Sequence, residues 1–249
     1  FFEAVLQKSE AASIAREYLS KRGLKPETTR TWRLGFAPDN FHAFEEFIIK
    51  KGFQKREAAA AGLLVQKEDA RLDLSSRRGG DTFFDRFRGR IMFPLFDIHG
   101  RVVGFTGRVL VTQEGVGKYM NSPETPIYSK SHLIYGLHLS KISIRQKDEI
   151  IVVEGNMDVL ACHEAGFVNV VASSGTALTL SQLETLKRFS NNISFAFDVD
   201  EAGLTATRRA VELALSLGFD VRIIRIPKEL AKDPDELVRK DSALWADLI

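Results

Sequence analysis

Residues 148–176, DEIIVVEGNMDVLACHEAGFVNVVASSGT, hold the pattern that decides the fold. The run 150–153 is apolar at every position, so a strand there has no polar side and needs cover on both faces. A short helix follows over 157–165 with Gly166 behind it, and then a second apolar strand over 168–171. The alternation continues toward the C-terminus. It predicts a helix over 181–189 capped by Thr179 or Ser181, a strand over 193–197, a long helix over 204–217 closed by Gly218, and a strand over 221–226. Asp233-Pro234-Asp235-Glu236 opens a last helix with proline in its first turn. Apolar strands alternating with amphipathic helices specify an α/β architecture, a parallel sheet with helices on both faces.

Ligands bind such sheets beyond the carboxyl ends of the strands. Glu154-Gly155 follow the first strand, the small residues 172–176 the second, and Asp198-Val199-Asp200 the third; Asp233 and Asp235 lie past Pro227 after the fourth. Asp198 and Asp200 are two apart, so an extended backbone points both the same way. Carboxylates crowded together repel unless they are protonated or bridged by cations. Oxygen donors with no His or Cys among them favour Mg²⁺ or Mn²⁺ over zinc. Taken singly, Asp200 and Asp233 read equally well as helix N-caps. Glu154, Asp198, Asp200, Asp233 and Asp235 together read as a metal site.

Before residue 148 the pattern differs. The first 62 residues read helical: Ser9 as an N-cap, Ile14, Ala15, Tyr18 and Leu19 at helical spacing, and Gly23 closing the segment. A helix over 41–50 puts Phe44, Phe47 and Ile48 on one face, and a helical patch over 58–61 ends at Gly62. Residues 67–81 are charged and aperiodic, the mark of a mobile surface loop. The runs 90–97 (RIMFPLFD) and 101–110 (RVVGFTGRVL), joined by Ile98-His99-Gly100, predict a hairpin in which Pro94 argues for an edge strand. Residues 111–135 show little periodicity and read as an irregular segment.

The chain has 249 residues, 44% hydrophobic and 27% charged, which suits one large domain or two modest ones and excludes a disordered polymer. The single cysteine, Cys162, excludes an internal disulfide framework and a Cys-built zinc site. No apolar run approaches the ~20 residues that a membrane-spanning helix needs. The opening FFEAVLQKSE has no initiator Met and no signal-peptide layout, and reads as part of a longer soluble chain. The net charge of +2 divides unevenly: 15 basic and 13 acidic groups over 1–85, 10 and 3 over 86–147, and 10 and 17 over 148–249. Uneven solvated surface is one account of this split; the other is a polyanion-binding face beside carboxylates that need cations.

Glu154 in VVEGNMD and Asp198 and Asp200 in FDVDEAG resemble the Toprim signature, a Glu after one strand and a DxD after a later one. That domain is shared by bacterial primases, topoisomerases and several nucleases. The match extends upstream and downstream. KRGL (21–24), LGFAP (34–38), DRFRGRIMFPLFDIHGRVVGFTGRVL (85–110), KYMNSPETPIYSK (118–130), IYG (134–136), EGNMDVLACHEAGFVNVVASSGT (154–176), DVDEAG (198–203) and KDPDELVRK (232–240) follow one another in order. Together they resemble the catalytic core of bacterial replicative primase of the DnaG type.

The resemblance implies three parts: an N-terminal mixed α+β subdomain with a basic ridge over 1–147, a Toprim-like parallel sheet over 148–228, and the start of a truncated helical region over 229–249. It implies synthesis of short RNA primers from NTPs on single-stranded DNA during replication, at the fork in the bacterial cytoplasm, with an RNA–DNA hybrid as product. Glu154, Asp198 and Asp200 would be the principal metal ligands, with Asp158, Asp233 and Asp235 completing the acidic site. Arg86, Arg88, Arg108, Lys118, Asn121 and Lys130 fall on the ridge that holds nucleotide phosphates and guides template. Two or more Mg²⁺ or Mn²⁺ ions would activate the primer 3′-hydroxyl and stabilise the departing pyrophosphate. No zinc is expected in this fragment and no membrane association. The replicative helicase and single-strand binding protein would engage domains mostly outside it. The chain departs from the family at Asn156, where Tyr is usual, and at Val199, where Gly is usual.

A Toprim nuclease or topoisomerase-like enzyme would share the carboxylates. A topoisomerase needs a nucleophilic Tyr, and Tyr18, Tyr119, Tyr128 and Tyr135 stand in none of the expected contexts. A single-stranded-DNA-binding module with a degenerate site is weakened because every expected carboxylate is present. Other features carry less. Cys162 and His163 point about 100° apart on a helix and cannot form a dyad. Gly115-Val116-Gly117-Lys118 lacks the full spacing of a phosphate loop. The Phe41, Phe44 and Phe47 stripe reads as core, and His99 as a solvent-facing turn residue.

Overall fold

The structure, a computed structural model, describes residues 1–66, 83–111, 115, 117–174 and 177–249. The loop expected over 67–81 lies outside these residues, as do Val116 and, in the small-residue turn, Gly175 and Thr176. The chain forms two compact units: Phe1–Tyr18, Arg30–Leu95 and Val103–Ser129 make the first, and Leu19–Thr29, Phe96–Val102 and Lys130–Ile249 the second.

In chain order the elements up to residue 121 are α1 (Phe2–Lys8), a 3-10 turn (Glu10–Ala12), α2 (Ser13–Lys21), α3 (Pro26–Thr31), β1 (Gly35–Ala37), α4 (Ala43–Lys50), α5 (Lys55–Ala60), β2 (Leu64–Gln66), β3 (Phe83–Asp85), β4 (Arg90–Phe96), β5 (Val102–Val109) and β6 (Tyr119–Asn121). One sheet has the order β1-β4-β5-β6, with β1 antiparallel to β4 and β6 antiparallel to β5. β2 and β3 form a separate antiparallel ribbon.

Several expectations change here. Ser9 stands between α1 and the 3-10 turn, and its side chain caps neither. α2 turns Ala15 and Leu19 inward but leaves Ile14 61% exposed, because Ile14 sits off the buried stripe. Phe41 precedes α4 and is 56% exposed, while Phe44 and Ile48 are buried. It is not a core residue. β4 is buried along its whole length between β1 and β5, so Pro94 is not on an edge strand. β1 is only three residues long, and its pairing runs from Arg90 to Met92, so Pro94 falls beyond the ladder on that side and no donor is missed. β1 itself escaped the helical reading of residues 1–62. At Gly35 a Cβ would lie 2.5 Å from that of Phe2, so glycine lets α1 run against the strand.

The second unit adds α6 (Leu137–Lys147), β7 (Ile150–Val153), α7 (Asn156–Glu164), β8 (Val170–Ala172), α8 (Leu180–Lys187), β9 (Asn192–Ala196), α9 (Glu201–Ser216), β10 (Asp220–Ile223), α10 (Pro234–Lys240) and α11 (Ser242–Leu248). Its sheet has the order β10-β9-β7-β8 with every pair parallel. Ile150, Val152, Val171, Ile193 and Phe195 form one core with Leu137 and Ile144 of α6, Leu183 and Leu186 of α8, and Ala210 and Ala214 of α9. The alternate strand residues Ile151, Val153, Val170, Ala172 and Ala196 are equally buried, and α7 packs beside β8 with α10 against it. β7, β8 and β9 thus have the double cover their sequence requires, whereas the edge strand β10, expected over 221–226, runs over Asp220–Ile223 and is largely exposed, Ile223 at 53%. Thr179 caps α8 by accepting from the amide of Gln182 at 3.2 Å, and Trp245 of α11 is buried against Phe167.

Replacing Phe195 by Ala removes a ring from the centre of the second unit's sheet. The Phe195→Ala protein is expected to lose about 3–5 kcal/mol in the urea transition of that unit. Ile14→Ala should stay within ~0.5 kcal/mol of the parent.

Candidate functional site

β7 ends at Val153 and presents Glu154; β9 ends at Ala196 and presents Asp198 and Asp200. The amide of Asp198 donates to Glu154 Oε1 at 2.9 Å, which ties the two strand ends together. Asp200 is the N-cap of α9, its Oδ1 accepting from the amide of Gly203 at 2.8 Å. Asp233 caps α10 in the same way through the amide of Glu236, and the amide of Val199 donates to the carbonyl of Lys232 at 3.2 Å. The cap reading therefore holds for both, and the caps keep Asp200 and Asp233 within electrostatic reach of Asp198. At Gly203 a Cβ would lie 2.1 Å from the carbonyl oxygen of Asp198 and 2.9 Å from Glu154 Oε1, so only glycine fits. Val199 needs no such freedom, since its φ is not positive. Asn156 is buried, and its Oδ1 accepts from the Ser174 hydroxyl at 2.8 Å.

Asp158 and Asp235 sit deeper. Asp158 is 7% exposed in the first turn of α7; its Oδ2 accepts from the amide of Gly155 at 2.9 Å and its Oδ1 from that of Asp235 at 3.1 Å. Asp235 is 2% exposed; its Oδ1 accepts from Arg239 Nε at 2.9 Å, and its Oδ2 from Arg22 Nη1 and from Arg239 Nη2 at 3.4 Å. Sequence reasoning grouped the six carboxylates together. The structure sorts them into an outer four (Glu154, Asp198, Asp200, Asp233) and an inner two. Arg22 and Arg239 went unnoticed, because nothing local in KRGL or ELVRK shows that both reach one aspartate.

The outer and inner groups remain within electrostatic reach. Burial, then the charges of Glu154, Asp233 and Asp200, push the Asp198 carboxyl up to about 7. Burial also raises Glu154, against the amide of Asp198 and reinforced by Asp200. Asp158 is pushed up to about 8, by burial first and then by Asp233 and Asp198. Half-buried oxygen donors that resist ionising beside one another fit a hard divalent cation. Among the described residues no three donors are already gathered around one point. Glu154 Oε1 and Asp200 Oδ1 are instead turned to backbone amides.

In the first unit the cations are arranged on aromatic rings. Arg108 is 7% exposed, its guanidinium stacks 4.2 Å from the ring centre of Tyr18, and its Nε and Nη1 have no hydrogen-bond partner among the described residues. Tyr119 lies near both Arg108 and Lys118, at 5.8 and 5.9 Å. Arg88 stacks 4.3 Å from Phe41 and 5.6 Å from Phe84 and donates to the carbonyl of Asp85. Phe41, which precedes α4 and so lies off its buried face, thus meets a cation that helical periodicity could not reveal. Arg86 and Arg56 line a cavity of about 520 Å³, and the Nε of Arg86 lacks a hydrogen-bond partner among the described residues. Asn121 Oδ1 accepts from the Thr106 hydroxyl at 2.7 Å. Arg90, absent from the sequence candidates, reaches the carbonyls of Gly107 and Gly117 at 3.3 and 3.4 Å and serves the framework. Lys130 belongs to the second unit, where its carbonyl accepts from Gln182 Nε2.

Burial pushes the Cys162 thiol up, and His163 Nε2 lies 3.0 Å from the carbonyl of Val170, so neither forms a nucleophilic pair. The His99 amide donates to Asp97 in an exposed turn.

A parallel sheet with Glu154 after one strand and the Asp198/Asp200 pair after another defines a Toprim-like domain, and the family described as Toprim-like matches residues 151–238. The family described as DNA primase catalytic core, N-terminal domain, matches residues 1–141. The chain is 42% identical to a DNA primase of Clostridium acetobutylicum over 232 residues, 93% of this chain and 36% of that protein. A DNA primase domain from Pseudomonas aeruginosa superposes with a TM-score of 0.85 at 38% identity, covering 99% of this chain and 74% of that one. The DnaG primase catalytic domain bound to single-stranded DNA superposes with a TM-score of 0.82 at 36% identity, over 99% and 74% of the two chains. The chain belongs to the DnaG-type DNA primase family. It spans about a third of the length of the curated relatives it matches. Among the described residues no helix is long and apolar enough to cross a membrane.

The raised carboxyls set a pH dependence. In the folded protein Asp198 and Asp158 hold protons that the unfolded chain, with an ordinary value of 3.8, has released, so this stabilisation is lost as pH rises toward 7 and 8. Half-buried His138 and His163, lowered from 6.5 to about 4, act in the opposite sense and have ceased to change above 6.5. The metal-free protein is therefore expected to lose stability between pH 6.5 and 8 in urea titrations, and the Asp198→Asn protein to lose less.

Proposed function

We propose that this chain is the catalytic core of a bacterial replicative primase, joining nucleoside triphosphates into short RNA primers on single-stranded DNA. The observation that carries the reading is the outer carboxylate group, Glu154 following one strand and Asp198 and Asp200 following its parallel neighbour, with the Asp198 carboxyl pushed up to about 7 by burial and then by its acidic neighbours. Glu154, Asp198 and Asp200 would hold Mg²⁺ or Mn²⁺, with Asp233 beside them. When bound, the ions supply Lewis acidity to an attacking 3′-hydroxyl and to the pyrophosphate that leaves. The new bond joins that oxygen to the α-phosphorus of the incoming triphosphate, and the α–β phosphoanhydride breaks.

The remaining work falls to side chains of this chain. Arg108 presents unsatisfied N–H donors from a desolvated guanidinium, which a phosphate oxygen satisfies. Lys118 and Arg86 add charge for a polyanion. Phe41 and Arg88 offer a flat surface on which an unpaired base stacks. The relative solved with single-stranded DNA supports a DNA template as ligand. The product would be an RNA–DNA hybrid at the replication fork in the bacterial cytoplasm. Contacts with the helicase and single-strand binding protein would lie mostly in other parts of the protein.

Given single-stranded template, four NTPs and Mn²⁺, the protein is expected to make short RNA, and Asp198→Asn to make none above background. Cleavage of the template without RNA would replace this reading by a nuclease. For DNA binding, Arg88→Ala should reduce the salt slope by about 0.7 for each phosphate that its side chain neutralises in the parent. Phe41→Ala should weaken binding by about 1–3 kcal/mol with the slope unchanged.

A further inference from the structure

We propose that Arg22 is a positioning residue for the acidic site, acting through Asp235 and Asp158, and that these two aspartates brace the site without ligating metal. The inference rests on the metal-dependent reading above.

Each oxygen of the inner pair already has a protein donor. Asp158 receives the amides of Gly155 and Asp235, one on each oxygen. Asp235 receives Arg239 on Oδ1 and both Arg22 and Arg239 on Oδ2. A cation bound to either would have to share its carboxylate oxygens with backbone amides or stand beside guanidinium groups, whose positive charge opposes it.

What these contacts do is mechanical. Gly155 follows Glu154 directly, and Asp235 lies two residues beyond Asp233. Asp158 thus clips the loop that presents Glu154 to the start of the helix that presents Asp233, and Asp235 is the second half of the clip. The guanidinium groups hold Asp235 in place while neutralising it. Arg239 comes from the same helix, four residues on, and cannot fix α10 to anything else. Arg22 can. It follows α2, 213 positions away in sequence, and Gly23 at φ +78° turns the chain immediately after it. Gly23 also faces the Arg239 side chain, where a Cβ would stand 3.8 Å from Cδ, so the turn packs on the clip.

The test is Mn²⁺ binding by the whole chain, followed by electron paramagnetic resonance of free Mn²⁺, alongside thermal unfolding without metal. Arg22→Ala is expected to weaken Mn²⁺ affinity on the order of 10-fold with the number of bound ions unchanged. Arg22→Lys, which keeps the charge but not the fork, should recover part of that loss. Asp235→Asn should also keep the ion count, whereas Asp198→Asn should lower it. A lower melting temperature with parental Mn²⁺ affinity in Arg22→Ala would show a purely structural contact and overturn the proposal. If Arg22→Ala does not fold, parental affinity in Arg22→Lys overturns it equally. Loss of an ion in Asp235→Asn would make Asp235 a ligand and also overturn it. A parent protein that binds no Mn²⁺ would overturn the metal reading beneath, which is a separate and recognisable failure.

Discussion

Crowded negative charge at the carboxyl edge of one parallel sheet is the constraint to which the rest of the second unit responds. Desolvation and mutual repulsion raise Asp198, Glu154 and Asp158 together, and the fold answers with donors placed one by one. Backbone amides of Gly155, Asp235, Asp198, Gly203 and Glu236 each reach one carboxylate oxygen. Within this group, arginines are directed to Asp235. The outer carboxylates receive amides in place of guanidinium groups, so no guanidinium competes there with a metal ion.

Positive charge in the first unit is handled in the opposite way. Arg108 and Arg88 lie on aromatic faces and not against carboxylates. A π face can desolvate a guanidinium and fix its plane without neutralising it, which leaves its N–H groups ready for phosphate. Arg88 also gives one N–H to the carbonyl of Asp85, while Arg90 is buried and reaches the carbonyls of Gly107 and Gly117, where it supports the strands. Arginines in the short run 86–90 thus have different physical tasks.

The same side chains serve local structure and chemistry. Asp200 and Asp233 begin helices, and that is what holds them at the sheet edge. The close approach at Gly203 lets α9 start directly over Glu154 and Asp198. Val199 and Asn156, the two departures from the family pattern, differ in cost: Val199 has no positive φ and ties two loops through its amide, whereas Asn156 bonds through Oδ1 to Ser174, itself at φ +63°, and leaves its buried Nδ2 without a partner among the described residues.

The parallel sheet was legible because β7 and β8 are apolar on both faces and β9 nearly so, a pattern that double burial explains, and Glu154, Asp198 and Asp200 followed from where those strands stop. Elements of three residues such as β1, β2 and β6 are shorter than any period that could announce them, and α6 lay in a stretch with a weak pattern. Pro94 and Phe41 were misplaced for a related reason. A proline's tolerance depends on where its neighbour's ladder ends, and an aromatic's burial on which residue begins the helix. The sequence alone determined the carboxylate inventory, the alternation of strand and helix, and the split of charge along the chain. Only the tertiary structure decided which aspartates stand outside and which are clamped within, because Arg22 and Asp235 are 213 residues apart and only packing brings them together.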